Sequence, residues 1–312
     1  MFNLAAIVGP TGVGKSNIAI KVGQVLDIEI ISCDSMQIYR GMDVGTAKVT
    51  RDEMKGIPHH MIDICDPDEQ FSVSDYQKMV KPLIMQINER GRIPVMVGGT
   101  GLYYQVVVDD YQLFPIKATP EVRQSLNDEA RQLGNHALYQ RLQALDPLAA
   151  DKISPNDRKR IVRALEVIEV TGQRFSALQH RNPGRYRLAA AGLTMSRPLL
   201  YDRLDKRVDT MLENGLVEEV RRLLEKGYGP ELNSMQALGY AQIMSFLQGH
   251  LTWEEAVDLI KRDTRRYAKR QLTWFRRDAR INWWELSNYN EEDALIDKIC
   301  EYFRGLLLVT VE

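Results

Sequence analysis

The sequence predicts an α/β protein with a parallel-sheet core, a helical insertion and a helical C-terminal region. Three observations predict it. Short apolar runs alternate with helical patterns over the first third of the chain, and a glycine-rich turn joins the first run to the first helix. From about Lys117 the pattern then turns helical until an apolar run returns at Leu188. Strands alternating with helices imply parallel pairing.

Leu4 to Val8 is the first apolar run, and Ser16 to Leu26 carries apolar residues at helical spacing. Ile28 to Ser32 is a second strand, ending at Cys33-Asp34-Ser35. Ser74 to Arg90 reads as a helix, and Ile93 to Val97 is a third strand that stops at Gly98-Gly99-Thr100-Gly101. Ligands of such sheets bind at the carboxyl ends of the strands, so these three polar ends are expected to converge on one cleft. Thr119-Pro120 and Ser154-Pro155 each pair an N-cap residue with a proline at the first helical position, and Gly172 stops the second of these helices. Leu188 to Thr194 reads as a strand, with further helices downstream, one of them starting at the capping box of Thr252 and Glu255. Residues 1–116 and 186–312 are therefore expected to form the core, and 117–185 a helical insertion domain.

With 312 residues the chain can hold two packed units, and 44% hydrophobic and 27% charged residues exclude a disordered, collagen-like or coiled-coil protein. Cys33, Cys65 and Cys300 lie too far apart for a zinc ribbon or a disulfide framework. The apolar start lacks a basic leader and is broken by Gly9 and Pro10, and no stretch reaches the roughly 18 apolar residues of a membrane helix. A cytoplasmic protein without membrane association is expected, and a monomer.

Gly9-Pro10-Thr11-Gly12-Val13-Gly14-Lys15-Ser16 fits G-x-x-x-x-G-K-[ST] and lies between a strand and a helix, as this phosphate-binding motif requires. Its glycines let successive backbone N–H groups face one anion at a helix N-terminus. Lys15 adds charge for terminal phosphate oxygens, and Ser16 a hydroxyl for Mg²⁺. The core is thus expected to be P-loop NTPase-like. ATP is only the default ligand, since the loop does not say which phosphate compound binds.

Asp34 follows the second strand and faces the loop across the expected cleft. It reads as a Mg²⁺ ligand, a general base or a turn-forming Asp. Gln37 offers the donor and acceptor that an adenine edge needs. Gly98-Gly99-Thr100 lacks the carboxylate that many P-loop enzymes place there, so a metal would depend on Ser16, Asp34, substrate oxygens and water. Thr100 reads as a hydrogen-bond partner of a reacting group or as a helix cap. His59 and His60 have no partner at ligand spacing and read as loop residues.

Between Lys261 and Arg280 nine basic residues face two acids, a net +7 in a chain whose total is -1. Tyr267, Trp274 and Phe275 are interleaved, which suits phosphodiester binding better than a solvated face, because only Asp263 and Asp278 are at hand to pair. Lys159, Arg160 and Arg163 form a smaller patch opposite apolar Ile161, Leu165 and Ile168.

Taken together, the phosphate loop, Asp34-Ser35-Met36-Gln37-Ile38-Tyr39, Val97 to Tyr103, Pro155-Asn156-Asp157 with Arg160 to Glu166, and Lys269-Arg270-Gln271 with Thr273-Trp274 closely resemble the bacterial tRNA dimethylallyltransferases, the IPP transferase family. The resemblance spans nearly the whole chain. It implies transfer of a dimethylallyl group from dimethylallyl diphosphate to the exocyclic amine of the adenosine 3′ of the anticodon, with Mg²⁺ as cofactor and diphosphate released. It further implies that Gly9 to Ser16 cradle the diphosphate with Arg207, that Asp34 accepts the amine proton, and that Lys15 and Thr100 serve the reacting centre. Asp34, Ser35, Met36 and Gln37 would meet the acceptor base. Arg123, Lys159, Arg160, Ile161, Val162 and Arg163, then Gln236, Gly239 and Tyr240, then Lys269, Arg270, Gln271, Trp274 and Arg276 would hold the tRNA anticodon stem-loop. Met235-Gln236 departs from the basic or cysteine-bearing pair of many relatives, and no C-terminal zinc finger of the eukaryotic kind is expected.

Three other functions compete. A small-molecule kinase would leave the insertion and the basic helix unused. An adenylate isopentenyltransferase would not need the +7 segment, and a non-catalytic RNA-binding module would not need Lys15, Ser16 and Asp34 together.

Overall fold

The computed structural model describes residues 1–113, 119–178, 180–289 and 291–307. Its strands are β1 (Phe2–Val8), β2 (Ile28–Cys33), β3 (His59–His60), β4 (Ile93–Gly98), β5 (Tyr186–Thr194) and β6 (Ile281–Glu285). Its helices are α1 (Lys15–Val25), α2 (Val73–Glu89), α3 (Gly101–Val108), α4 (Pro120–Leu133), α5 (Asn135–Leu145), α6 (Pro147–Ala150), α7 (Arg158–Thr171), α8 (Arg197–Glu213), α9 (Leu216–Glu225), α10 (Tyr240–Leu247), α11 (Trp253–Phe275) and α12 (Glu292–Leu307).

The strands form one parallel sheet in the order β3-β2-β4-β1-β5-β6. β2 and β4 are buried along their whole length and β1 along all but its first two residues. Covered faces explain why these strands read as unbroken apolar runs rather than alternating ones. Gly98 pairs with Val8 on one side and with Cys33 on the other. That register brings the carboxyl ends of β1, β2 and β4 to one level, and the cleft expected from the sequence opens there.

Two compact units divide the chain: Met1–Val108 with Gly184–Glu312, and Asp109–Pro183. In the first, Ile18 and Val22 of α1 join β-strand side chains and Leu295, Ile299 and Phe303 of α12 in one apolar core. A second core ties Ile38 and Met42, just after β2, to Val208 of α8, Val220 of α9, Met244 of α10 and Ile260 of α11. The second unit packs α4 to α7 around Leu126, Leu138, Leu142, Ile161 and Leu165. The insertion start expected at Lys117 lies outside the described residues.

Some local expectations change. The helix expected from Ser154 begins at Arg158, because Asp157, not Ser154, accepts the Arg160 N–H (3.2 Å), while Ser154 to Asp157 forms a turn. Thr119 makes no side-chain cap, although Pro120 does occupy the first turn of α4. Thr252 and Glu255 form the expected capping box. Ile281–Glu285 is an edge strand where only helices were expected, and His59-His60 is a two-residue edge strand rather than loop, with His60 Nε2 2.7 Å from Glu29. Among the described residues no helix is long and apolar enough to cross a membrane.

Candidate active site

Gly14 sits at φ 101°, a backbone conformation open to glycine, and turns the loop into α1 with Lys15 and Ser16 in the helix's first turn. N–H groups of a first turn have no intrahelical partner, and the helix dipole adds to their pull on an anion. Lys15 Nζ donates to the Pro10 carbonyl at 2.8 Å. Arg207 of α8 lines the same cavity. Burial lowers the Lys15 pKa to about 8, the Arg207 charge adds to that, and Asp34 and Cys33 oppose it. Burial likewise lowers Arg207, with Asp34 opposing and Arg203 reinforcing. Two half-buried cations are thus set against each other in one cavity, a field that an anionic ligand relieves. Arg203, one turn before Arg207, went unnoticed in the sequence; its guanidinium lies 3.8 Å from where a Gly14 Cβ would stand. The spacing of four on one helix was the available signal.

Asp34 stands across from this cradle. One carboxylate oxygen accepts the Met36 N–H (2.9 Å), so Asp34 does form a turn, and it also faces Lys15 and Arg207 electrostatically. Thr100 Oγ1 accepts the Ser35 N–H (3.1 Å) and donates to Ser35 Oγ (3.4 Å), fastening the end of β2 to the end of β4. Beneath them Cys33 is buried, its thiol pushed up to about 12 mainly by desolvation. The Gln37 amide is fixed at both ends, accepting from Ser32 Oγ (3.1 Å) and donating to the Thr46 carbonyl (3.4 Å). Asp34, Ser35 and Gln37 share a cavity of about 1090 Å³ with the phosphate loop.

The buried face of α11 closes the site. Gln271 accepts the Thr11 N–H (2.8 Å) and donates to the Gly99 carbonyl (3.0 Å), cross-linking the phosphate loop to the end of β4. A Cβ on Gly99, just past β4, would collide with the Gln271 amide nitrogen, so the position is glycine because α11 presses on it. Trp274 packs in the same way on Gly101. Tyr267 lies between Thr100 and Gln271, and its hydroxyl pKa is raised by burial and by Asp34. Tyr267, Gln271 and Trp274 fall at i, i+4 and i+7, one helix face. That periodicity was the signal for Tyr267, which in the sequence counts only as an interleaved aromatic.

Four residues expected to touch tRNA have buried side chains. Gln271 is 5% exposed and commits its amide to the loop, and Tyr240 is fully buried and donates its hydroxyl to Glu219 (2.6 Å). Ile161 and Val162 lie in the insertion core. Little of these side chains faces solvent, and each holds its neighbours in place. Gln236 is exposed, with its amide donated to the Pro230 carbonyl, and the Gly239 N–H binds Gln242 (3.0 Å).

The basic stripe divides into two halves. Lys261 pairs with Asp209 (2.6 Å) and Arg265 with Asp205 (2.5 Å), acids of α8 distant in sequence, while Arg262 and Arg266 share Asp263. Arg280 is tied to Asp278. Lys269, Arg270, Arg276 and Arg277 are exposed and have no ion-pair partner among the described residues. Arg270 instead lies over the Tyr267 ring at 5.7 Å. The two local acids are thus joined by two distant ones of α8, and the free charge concentrates at the C-terminal end of α11. Within the insertion, Arg123 and Arg163 both bind the fully buried Glu166 (3.0 and 2.8 Å), and Arg160 binds Asp157. Lys159 is exposed and has no ion-pair partner among the described residues.

For a cation the cavity offers the Ser16 hydroxyl and the Asp34 carboxylate. Among the described residues no cluster of three or more His, Cys, Asp or Glu side chains is placed to hold a metal ion.

A family model described as IPP transferase matches residues 37–278. The tRNA dimethylallyltransferase of Syntrophomonas wolfei is 52% identical over 305 residues, covering 98% of both chains. That of Moorella thermoacetica is 54% identical over 291 residues, 91% of this chain and 90% of that protein. Among solved structures, the full-length tRNA isopentenylpyrophosphate transferase of Bacillus halodurans aligns with a TM-score of 0.75 at 45% identity, covering 99% of this chain and 97% of that one. A eukaryotic dimethylallyltransferase acting on tRNA aligns with a TM-score of 0.78 at 29% identity, covering 95% of this chain and 77% of that one.

Proposed function

The chain belongs to the IPP transferase family and is a tRNA-prenylating enzyme, and on that premise we propose that its phosphate loop holds dimethylallyl diphosphate and that its acceptor is the exocyclic amine of the adenosine 3′ of the anticodon. The observation that carries this assignment is the arrangement of Lys15 and Arg207, desolvated and mutually repelling, opposite the Asp34 carboxylate in one cavity.

An aromatic amine is a weak nucleophile, so the allylic carbon must lose its leaving group early. Negative charge then grows on the departing diphosphate. Lys15, Arg207 and the first-turn N–H groups of α1 are already in place where that charge appears, so little reorganisation is needed during the step. Asp34 takes the amine proton as the new carbon–nitrogen bond forms. Thr100 and Ser35, joined by hydrogen bonds, hold the end of β2 on which Asp34 rides. The oxygen-only donor set suits Mg²⁺ held by Ser16, Asp34 and the substrate's own oxygens, and the ion would offset diphosphate charge.

A stacked loop base cannot reach a half-buried carboxylate inside a cleft, so the adenosine is flipped out, at a cost of roughly a few kcal/mol that protein contacts offset. Lys269, Arg270 and Arg276 would take phosphates, Trp274 would add stacking surface beside them, and Arg123, Lys159, Arg160 and Arg163 would contact the stem-loop from the insertion. A tRNA substrate supports a cytoplasmic location.

The test is incubation of the purified protein with labelled dimethylallyl diphosphate and, separately, unmodified tRNA, AMP or no acceptor. Label should enter tRNA only, in one nucleoside of the anticodon loop. Label in AMP would move the acceptor assignment to free nucleotides.

Two further outcomes follow from the electrostatics. Because burial lowers the Lys15 pKa to about 8, the free enzyme loses this charge above that pH. Affinity for the diphosphate donor should therefore fall by up to about tenfold per pH unit above it. Stability moves the other way: unfolded Lys15 keeps its proton up to the ordinary lysine value of 10.5, so between these values the unfolded chain binds more protons and stability rises with pH. Donor titrations and denaturation midpoints across this range read both. Replacing Lys269, Arg270, Arg276 and Arg277 together by Gln should flatten the log–log salt dependence of tRNA binding by about 3 units. Arg265→Gln, which removes a paired charge, should leave the slope nearly unchanged.

A further inference from the structure

Glu219 of α9 belongs to none of the motifs noted in the sequence and is 2% exposed. One of its oxygens accepts the backbone N–H groups of Asp43 (3.0 Å) and Val44 (2.8 Å). The other accepts the Gly45 N–H (3.1 Å) and the Tyr240 hydroxyl (2.6 Å). Three successive N–H groups converge on one carboxylate, the arrangement of an anion-binding nest, here filled by the protein itself. Four donors satisfy the buried charge, so the turn cannot leave without stranding it. Gly45 also lies flat against the Tyr240 ring, which leaves no room for a Cβ.

The turn continues directly into the cavity. Thr46 is tied through its hydroxyl to the Met42 carbonyl (2.7 Å), and its own carbonyl accepts from Gln37 Nε2 (3.4 Å). Ser32 Oγ on β2 donates to the other end of that amide. Which way the Gln37 amide faces is thus set by β2 on one side and, on the other, by a turn that Glu219 anchors. The Lys15–Arg207 cradle takes no part in this chain of contacts.

We propose that Glu219 is a positioning residue for the acceptor side of the reaction, holding the Asp43–Gly45 turn so that Thr46 keeps the Gln37 amide oriented toward the acceptor base. The proposal rests on the assignment of Gln37 to that base made above.

Glu219→Gln preserves shape but turns one accepting oxygen into an NH₂ that faces N–H donors. With tRNA and dimethylallyl diphosphate varied independently, it should raise the KM for tRNA roughly tenfold or more and leave the KM for the donor unchanged. Tyr240→Phe removes one donor of four and should shift the same constant in the same direction by less. The positioning role is read from a double-mutant cycle: in a Gln37→Ala background, Glu219→Gln should add little, because the amide it orients is gone. Additive losses, or a parallel rise in the KM for the donor, would overturn the proposal. Where Glu219→Gln does not yield folded protein, the cycle of Tyr240→Phe with Gln37→Ala decides between the same two outcomes. A wild-type enzyme that fails to prenylate tRNA overturns the assignment of the acceptor and the proposal with it, whereas additivity in an active enzyme overturns the role of Glu219 alone.

Discussion

Asp34→Asn should lower kcat by about 10²–10⁴-fold while the tRNA dissociation constant changes little. The isosteric amide keeps an oxygen that can accept the Met36 N–H, so the turn after β2 survives and the variant removes the basicity and charge of Asp34 without the turn. Asp34→Ala removes the base and the turn together and should be at least as slow. The Asp34 charge opposes the lowering of both the Lys15 and the Arg207 pKa, so its loss also weakens the field that keeps Lys15 charged. The pH profile of donor binding in Asp34→Asn should accordingly break at lower pH than in the wild type. Single-turnover rates and equilibrium binding of the same tRNA separate these effects, and full turnover in Asp34→Asn would remove this residue from the chemistry.

Lys15→Met and Arg207→Met should each cost about 10²–10³-fold in turnover, the scale of one preorganised donor to a developing anion. Because both serve the same charge, the double variant should lose less than the product of the single losses. The signs for folding are opposite to those for catalysis. Burial holds the Lys15 ammonium at a cost, and the Arg207 charge adds to it, so Lys15→Met should unfold at a higher denaturant midpoint than the wild type. A slower enzyme that is also more stable marks a group kept for function. A slower and less stable one would mean that Lys15 instead holds the loop through its bond to Pro10.

The strand ends were legible because a doubly covered parallel strand is an apolar run, and each run stopped at polar residues that register then aligned. Gly98 paired to both Val8 and Cys33 is the physical form of that alignment. β6 was not legible: Ile281-Asn282-Trp283-Trp284 abuts the basic segment, whose charge dominated the local pattern, and a two-residue strand such as β3 has no pattern at all. The acids that neutralise Lys261 and Arg265 lie on α8, more than fifty residues earlier in the chain, so local charge counting overstated the free charge. The burial of Gln271 and Tyr240 was not legible either, since the sequence shows residue type but not which side of a helix is covered. Arg207 was placed from resemblance, and the structure puts it in the cavity. Glu219 had no sequence signal, since a single acid in an amphipathic helix gains its role only when a distant turn folds over it.

As proposed, the phosphate loop binds a leaving group and consumes no nucleotide. Diphosphate release, prenyl incorporation into tRNA and ATP consumption can be followed together in one reaction. Diphosphate should appear in step with prenyl groups on the RNA, at a rate indifferent to ATP. Hydrolysis of ATP that is required for the reaction, or that proceeds while the RNA stays unmodified, would contradict this assignment of the loop.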